Sequence, residues 1–431
     1  MKQKIALWGY GFLGHDLERA LRECWSDRYE VTAIFDREYE KFSHDSETLH
    51  PVLDPETIEA RYKAGLFDQV LISVHDQGAM KKIRNSLLTQ HIPVMPLDPL
   101  TTAKPPEQCN QTDTDSVFSQ EGYSVFTFVD QYVLFAPRAL YPMVYDTDGS
   151  VNGAFKFGDH LSIEYFSDFF KPVHMEQALL LKGEYCMLAS VFSRNYWHFI
   201  YESLDKFWLM EKNGYQGIYI VPGNQFIREF MTLVGVPAER LLFTDDLDMT
   251  ALWKIEKLVR PVLNKSSDER SKAAPLLCEL AEKILLTLPQ SNAPYPEKLY
   301  VKRTGIRKLL GADGLLEQNG FVAMTPESFP VAEQIRYFMN AKIVFSPHGA
   351  NTANALFMTP GSVLIETFPA RWLNPCCISE LLSRGVYYLP LFEEKDHAAG
   401  EGYSSDYSLQ PEMIRSALIN AEVLAESGRR R

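Results

Sequence analysis

The sequence has few cysteines, and none stands in a spacing that would hold a metal or a redox pair. Its six (Cys24, Cys109, Cys186, Cys278, Cys376 and Cys377) form no CxxC motif and no zinc pattern. Adjacent Cys376 and Cys377 do not ordinarily bond to each other, so a reducing, cytoplasmic location is the expectation. No apolar run approaches the roughly 18 residues of a membrane helix, although peripheral contact with a membrane surface stays open. The opening MKQKIALWGYGFLG has a basic start but breaks into glycines, which suits a first buried strand rather than a secretory signal. Positive charge is also short: 43 Lys and Arg face 56 Asp and Glu, a net charge of −13. Such a surface repels polyanions, and nucleic acid is not an expected partner. What remains, 46% apolar and 23% charged over 431 residues, is an ordinary globular composition. At roughly 150 residues per domain, the length suggests about three domains.

Short apolar runs alternate with helix-like stretches. Ile5–Trp8, Val31–Phe35 and Val70–Val74 read as strands, with helices over Leu13–Cys24 and Ala79–Gln90. This rhythm predicts a parallel sheet covered on both faces, an N-terminal Rossmann-like domain over residues 1–100. Residues 101–115 are polar, hold two adjacent prolines and read as a linker. Irregular or antiparallel strands are expected from Val117 to Phe170. The α/β rhythm then returns, with a first unit over 116–290 and a second over 291–431. Between their strands lies a long helix starting near Asp268, capped by Ser266 and Glu269 and kinked or delayed by Pro275. No short repeat of fixed period is present.

Gly9-Tyr10-Gly11-Phe12-Leu13-Gly14 fits GxGxxG. It follows a strand, opens a helix, and Asp36 ends the second strand some way on. Gly9, Gly11, Gly14 and Asp36 are therefore candidates for a nucleotide, including NAD(P). Similar domains also bind nucleotide-sugars, or bind nothing and serve as docking modules.

The most specific stretch runs from Ser346 through Pro347, His348, Gly349, Ala350 and Asn351 to Gly361. A buried strand, Ala341–Phe345, enters a turn of small residues and a short helix, and a Pro-Gly turn then feeds the strand Ser362–Glu366. A helix N-terminus offers unpaired amides and partial positive charge, which suits a diphosphate. Gly349 lets the backbone approach closely, and His348 adds a donor. A tight structural turn with a core-facing histidine explains the same spacing.

This stretch resembles the HGAGLTNALF-PPGS-IE signature of glycosyltransferase family 61, which includes plant xylan-decorating and bacterial capsular polysaccharide transferases. The family's other motifs have counterparts in Leu299-Tyr300-Val301-Lys302-Arg303, Asn319-Gly320-Phe321-Val322, Glu333-Gln334-Ile335 and the run Asn195–Glu202. Asn351 stands where the family has a second glycine; asparagine tolerates left-handed dihedrals better than most residues. The resemblance implies an α/β chain with a GT-B pair of Rossmann-like domains, preceded here by the extra N-terminal one. It further implies inverting, nucleotide-sugar-dependent transfer in the cleft of that pair.

Arg303 follows a strand's carboxyl end, where ligands gather in open α/β sheets, and its guanidinium can clamp a diphosphate. Arg307 lies four residues on, and Glu366 ends a strand at the same rim, where it can accept from a ribose or sugar hydroxyl. The donor-side candidates are thus Arg303, Arg307, His348, Gly349, Ala350, Asn351 and Glu366. His198 and Glu202 share a helix face, and either can deprotonate an acceptor hydroxyl; a packing pair is the alternative. Asp205 and residues 117–170 are the reserve for that base. Asp113-Thr114-Asp115 lies in the expected linker and Asp146-Thr147-Asp148-Gly149 reads as a turn, so no metal is required. The expected donor is a UDP-sugar and the acceptor a glycan or lipid-linked glycan, in polysaccharide or capsule synthesis. An NAD(P)-dependent sugar oxidoreductase or a non-catalytic nucleotide-binding scaffold are the other readings.

Overall fold

A computed structural model of the chain describes residues 2–10, 14–15, 18, 21–22, 29–42, 50–74, 77–95, 103–104, 108–115, 123–135, 143–148, 151–152, 175–189, 192–248, 251–263, 267–370, 376–394 and 406–428. Gly11, Ser266 and most of 117–170 lie outside the described residues. The chain is α/β and divides into two compact units. The first comprises 1–112, 128–182 and 248–257, and the second 113–127, 183–247 and 258–431.

In the first unit, β1 (Gln3–Trp8), β2 (Tyr29–Phe35), β3 (Val52–Leu53) and β4 (Gln69–Ile72) form a parallel sheet in the order β3-β2-β1-β4. Successive side chains of a strand point to opposite faces. Ile5 and Leu7 accordingly enter one cluster with Tyr10 and Leu21. Ala6 and Trp8 enter another with Ile58 of α1 (Ile58–Lys63) and Ile83 and Leu87 of α2 (Gln77–Thr89). The two buried faces explain the near-continuous apolar runs that marked these strands.

The GxGxxG turn has a packing reason at each described glycine. Gly9 sits at φ +105°, and a Cβ there would lie 2.7 Å from the Ser73 carbonyl. A Cβ on Gly14 would overlap the carbonyl of Gly9. Asp36 accepts from Tyr10 N at 2.6 Å and Glu38 N at 2.8 Å, which ties the end of β2 to the turn. The carboxylate expected at a ribose is thus already bonded to backbone.

The expected linker contains β5 (Ala103–Lys104) and β6 (Gln111–Asp115), so Asp113-Thr114-Asp115 lies in a strand. The C-terminal part of β7 (Tyr123–Leu134) pairs antiparallel with β8 (Met143–Tyr145), which pairs with β9 (Val151–Asn152). Buried Asp146 accepts from Asn110 N at 3.0 Å and Gln131 Nε2 at 2.9 Å. Its carboxylate is engaged within the fold, and Asp148 is exposed in the following turn.

In the second unit, the C-terminal part of β10 (Leu179–Met187) lies parallel to β11 (Ile218–Val221), which lies parallel to β12 (Leu241–Phe243). Helices α3 (Tyr196–Glu202), α4 (Leu204–Lys212) and α5 (Gln225–Leu233) connect and cover these strands. After β13 (Leu252–Leu263), α6 (Ser267–Thr287) continues through Pro275. A second, wholly parallel sheet is built from β14 (Lys298–Val301), β16 (Val322–Met324), β17 (Ile343–Pro347), β18 (Val363–Phe368) and β19 (Tyr387–Phe392). Its order is β16-β14-β17-β18-β19. Its helices are α7 (Asp313–Gln318), α8 (Val331–Asn340), α9 (Ile378–Ser383) and α10 (Pro411–Gly428), and β15 (Leu309–Leu310) pairs with β20 (Tyr407–Ser408).

One apolar cluster of the unit runs from Phe199, Phe207 and Phe230 through Leu280 and Ile284 to Val344, Phe357 and Leu364, and a second gathers Phe345 and Ile365 with Leu418 of α10. The expected boundary at 290/291 therefore falls between two sheets that share a core, inside one compact unit.

Candidate active site

Helix α3 starts where Asn195 caps it, accepting from Trp197 N at 3.0 Å. Trp197, Phe199, Ile200 and Tyr201 are buried, whereas His198 and Glu202, one turn apart, stay partly exposed. His198 Nδ1 bonds Glu202 Oε2 at 2.8 Å. The ring also packs on Phe192, with centroids 4.9 Å apart. The carboxylate fixes the ring through one nitrogen and leaves Nε2 as the atom that can take a proton, the relation of an orienting acid to a base. Asp205, the reserve base, is buried and accepts from the Tyr123 hydroxyl at 2.7 Å and Lys206 N at 2.7 Å.

β17 is buried along its length and leads into a 3-10 helix, Ala350–Phe357, with Asn351–Phe357 all buried. The small side chains at 350, 353 and 355 suit close packing against α3, α6 and α8. Asn354 fastens this packing: Tyr196 donates to its Oδ1 at 2.7 Å, and its Nδ2 donates to Gln334 at 3.1 Å. Nothing in the sequence marks Tyr196 or Gln334 beyond the motifs they sit in.

The dihedrals correct the reading of this turn. Gly349 has φ 170°, which is extended backbone open to any residue. Asn351 is helical and donates to Glu327 at 2.9 Å, so its tolerance of left-handed dihedrals is not used. What Gly349 provides is space, because a Cβ there would overlap Nη1 of Arg303. The obstructed atom is the end of a flexible side chain, so Gly349→Ala should displace the guanidinium rather than unfold the protein. A ligand held by that guanidinium should bind about tenfold more weakly, at unchanged secondary structure by circular dichroism. Wild-type affinity in that variant would show that the space is not needed.

Arg303 follows β14 and donates from Nε to Ile306 O at 2.9 Å and from Nη1 to His348 O at 2.7 Å. Among the described residues it has no carboxylate ion-pair partner. Burial, and then neighbouring Arg307, pull its pKa below the usual arginine value. Both effects disfavour a cation, and an anion placed here would relieve both. Arg307 adopts φ 63°, a left-handed conformation uncommon outside glycine, at the end of the Arg303–Arg307 segment.

Glu366 does not face the rim as an open acceptor. It is buried, with Oε1 bonded to His348 Nδ1 at 2.8 Å and Oε2 accepting from the Tyr388 hydroxyl at 2.7 Å. Burial, and then Glu366, push the Tyr388 hydroxyl's pKa up, so it remains a donor. No sequence signal marks Tyr388, a tyrosine in an apolar strand. Arg303, His348, Gly349 and Glu366 are thus brought together, and the His198–Glu202 pair stands on the helix packed against the same 3-10 helix. Gly9, Gly14 and Asp36 belong to the other unit.

Residues 196–365 match the model of the family described as Glycosyltransferase 61. The match spans α3, the 3-10 helix and the first half of β18, and it supports glycosyltransferase activity on glycans. No curated protein matches the chain. The similar solved structures include UDP-D-quinovosamine 4-dehydrogenase from Vibrio fischeri, 24% identical, covering 22% of this chain and 76% of that one at a TM-score of 0.20. The Flv1 flavodiiron core from Synechocystis is 10% identical, covering 99% and 87% at a TM-score of 0.21. The flavodiiron protein from Giardia intestinalis is 9% identical, covering 98% and 86% at a TM-score of 0.21. These likenesses are too low to carry a functional argument. Among the described residues, no helix is long and apolar enough to cross a membrane.

Proposed function

We propose that this protein is an inverting glycosyltransferase that moves a sugar from a nucleotide-sugar, a UDP-sugar first among them, to a hydroxyl of a glycan or lipid-linked glycan. The observation that carries the reading is Arg303, a part-buried guanidinium at a strand's carboxyl end, bonded to carbonyls and crowded by a second arginine. The family match over residues 196–365 supports it. In the reaction, the acceptor oxygen bonds to the anomeric carbon and its proton passes to the His198 imidazole. The bond from that carbon to the phosphate oxygen breaks, and its electron pair leaves on the nucleoside diphosphate. Arg303, with Arg307 beside it, stabilises that charge as it forms. Of the expected 116–290, the part that lies in the second unit supplies the acceptor side and 291–431 the donor side of a GT-B arrangement, with residues 1–100 as an accessory domain. The setting is cytoplasmic polysaccharide or capsule assembly.

Thermal-shift measurements with UDP-, GDP- and CMP-sugars beside NAD(H) test this, because a ligand selective for the native state raises apparent stability. Stabilisation by a nucleotide-sugar, followed by release of nucleoside diphosphate when acceptor is added, is the expected result. The N-terminal strand order and the packing at Gly9 and Gly14 favour one rival, an NAD(P)-dependent sugar oxidoreductase. It requires a shift with NAD(H) that Asp36→Ala abolishes. Binding of nucleotide without any turnover would leave a scaffold.

Transfer is expected to persist in excess EDTA. Arg303 and Arg307 supply positive charge for the leaving diphosphate, and Asp146 is already bonded within the fold. Strict dependence on added manganese or magnesium would overturn this and redirect attention to Asp146 and Asp148.

A further inference from the structure

We propose that Glu366, His348 and Tyr388 are positioning residues that aim the Arg303 guanidinium at the diphosphate of the nucleotide-sugar. The inference rests on the glycosyl-transfer reading and adds how its anion site is held.

The bonds form a continuous path from a strand interior to the cation. The Tyr388 hydroxyl, on β19, and His348 Nδ1 each engage one oxygen of the buried Glu366 carboxylate, on β18. The imidazole stacks on Phe368, with ring centroids 4.9 Å apart and planes 26° from parallel, and Phe368 stacks in turn on Phe392. His348 N donates to Thr367 O at 2.8 Å. With its ring and its amide both fixed, the residue has little freedom left in its carbonyl, and that carbonyl accepts Nη1 of Arg303. Ile306, the guanidinium's other anchor, is exposed, so the His348 carbonyl is the buried anchor of the two.

A carboxylate and an imidazole buried together at 1% and 5% exposure are a costly way to join two strands. Burying such a pair carries a desolvation penalty, and apolar side chains of similar volume often serve stability as well or better. What apolar side chains would not provide is a fixed direction for the carbonyl that meets the guanidinium. Glu366 and His348 therefore act through Arg303 rather than by touching the donor. This reassigns both residues from donor contacts to supports of one.

The test is a double-mutant cycle on nucleotide affinity in the full chain, read by calorimetry with UDP, GDP and UMP. Glu366→Gln and Tyr388→Phe should each weaken binding of the diphosphates by about tenfold. UMP, which lacks the second phosphate, should be affected much less. Added to Arg303→Ala, neither change should weaken binding further, since both act through the side chain already removed. Should Glu366→Gln fail to fold, Tyr388→Phe, which removes only a hydroxyl, completes the cycle alone. Wild-type affinity in the variants, equal losses for UDP and UMP, or additivity with Arg303→Ala would each overturn the proposal. If the unaltered protein binds none of the nucleotides, the glycosyl-transfer reading falls and takes this proposal with it. Binding by the unaltered protein with indifferent variants overturns this proposal alone.

Discussion

Arg303→Ala is expected to lower turnover by about 100-fold or more while leaving the protein folded. The side chain lies past the end of β14, outside the apolar cluster, and its partners are the carbonyls of Ile306 and His348. Removing it frees the exposed Ile306 carbonyl and the buried His348 carbonyl and eases the repulsion with Arg307, so the loss of stability should stay within about 1–3 kcal/mol and the fold should persist. The loss should appear in the transition state, where charge accumulates on the departing diphosphate and a charge-assisted bond contributes most. Arg303→Lys should restore little. An ammonium is a point charge, and it cannot hold both carbonyls in fork geometry while facing a phosphate. Steady-state turnover with the donor found by thermal shift decides the matter. Near-normal rates in the alanine variant would remove Arg303 from the site.

A second large effect is expected at α3. His198→Ala should depress turnover by roughly 100-fold or more, the scale of losing a general base, with nucleotide affinity nearly unchanged. Deprotonation matters only as the acceptor attacks, so the loss should fall on kcat. Glu202→Gln should cost less, because an amide can still accept from Nδ1 but no longer stabilises the charged imidazolium. The pH–rate profile gives a further handle: the limb belonging to the base should vanish in His198→Ala and survive in Glu202→Gln. Wild-type turnover in both variants would leave the pair as a packing contact against Phe192. Loss of helical content on substitution would support the same structural role, and the search for the base would return to residues 117–170.

The sequence made the α/β class and most strands legible because buried parallel strands are continuous apolar runs, and β14, β17 and β18 stand where such runs predicted. It also led to the segment around His348, since a strand, a small-residue turn and a Pro-Gly exit are local features. Three things were not legible. The shared core of the second unit arises from contacts between residues far apart, such as Phe230 with Phe357 at 6.3 Å, and no local period announces them. The orientation of Glu366 was read from its place at a strand end, but Tyr388 on the neighbouring strand draws it inward. The sequence suggests close backbone approach at Gly349, whereas the occupant of the space is a side chain from position 303. Each miss is a partner supplied by a distant part of the chain.

The 3-10 helix Ala350–Phe357 is buried on every residue after its first, and Asn354 bonds to both α3 and α8 from within it. Its residues therefore serve the core and the site together, and change in them is constrained twice. A library randomised over 350–357 should lose folded members before it yields any with altered donor preference. The segment from Thr304 to Lys308 is largely exposed, and it carries the one non-glycine left-handed residue described in the second unit. Variation there can reshape the approach to Arg303 without disturbing the strands beneath. A family built on this plan would diversify its substrates through that loop and keep its floor unchanged.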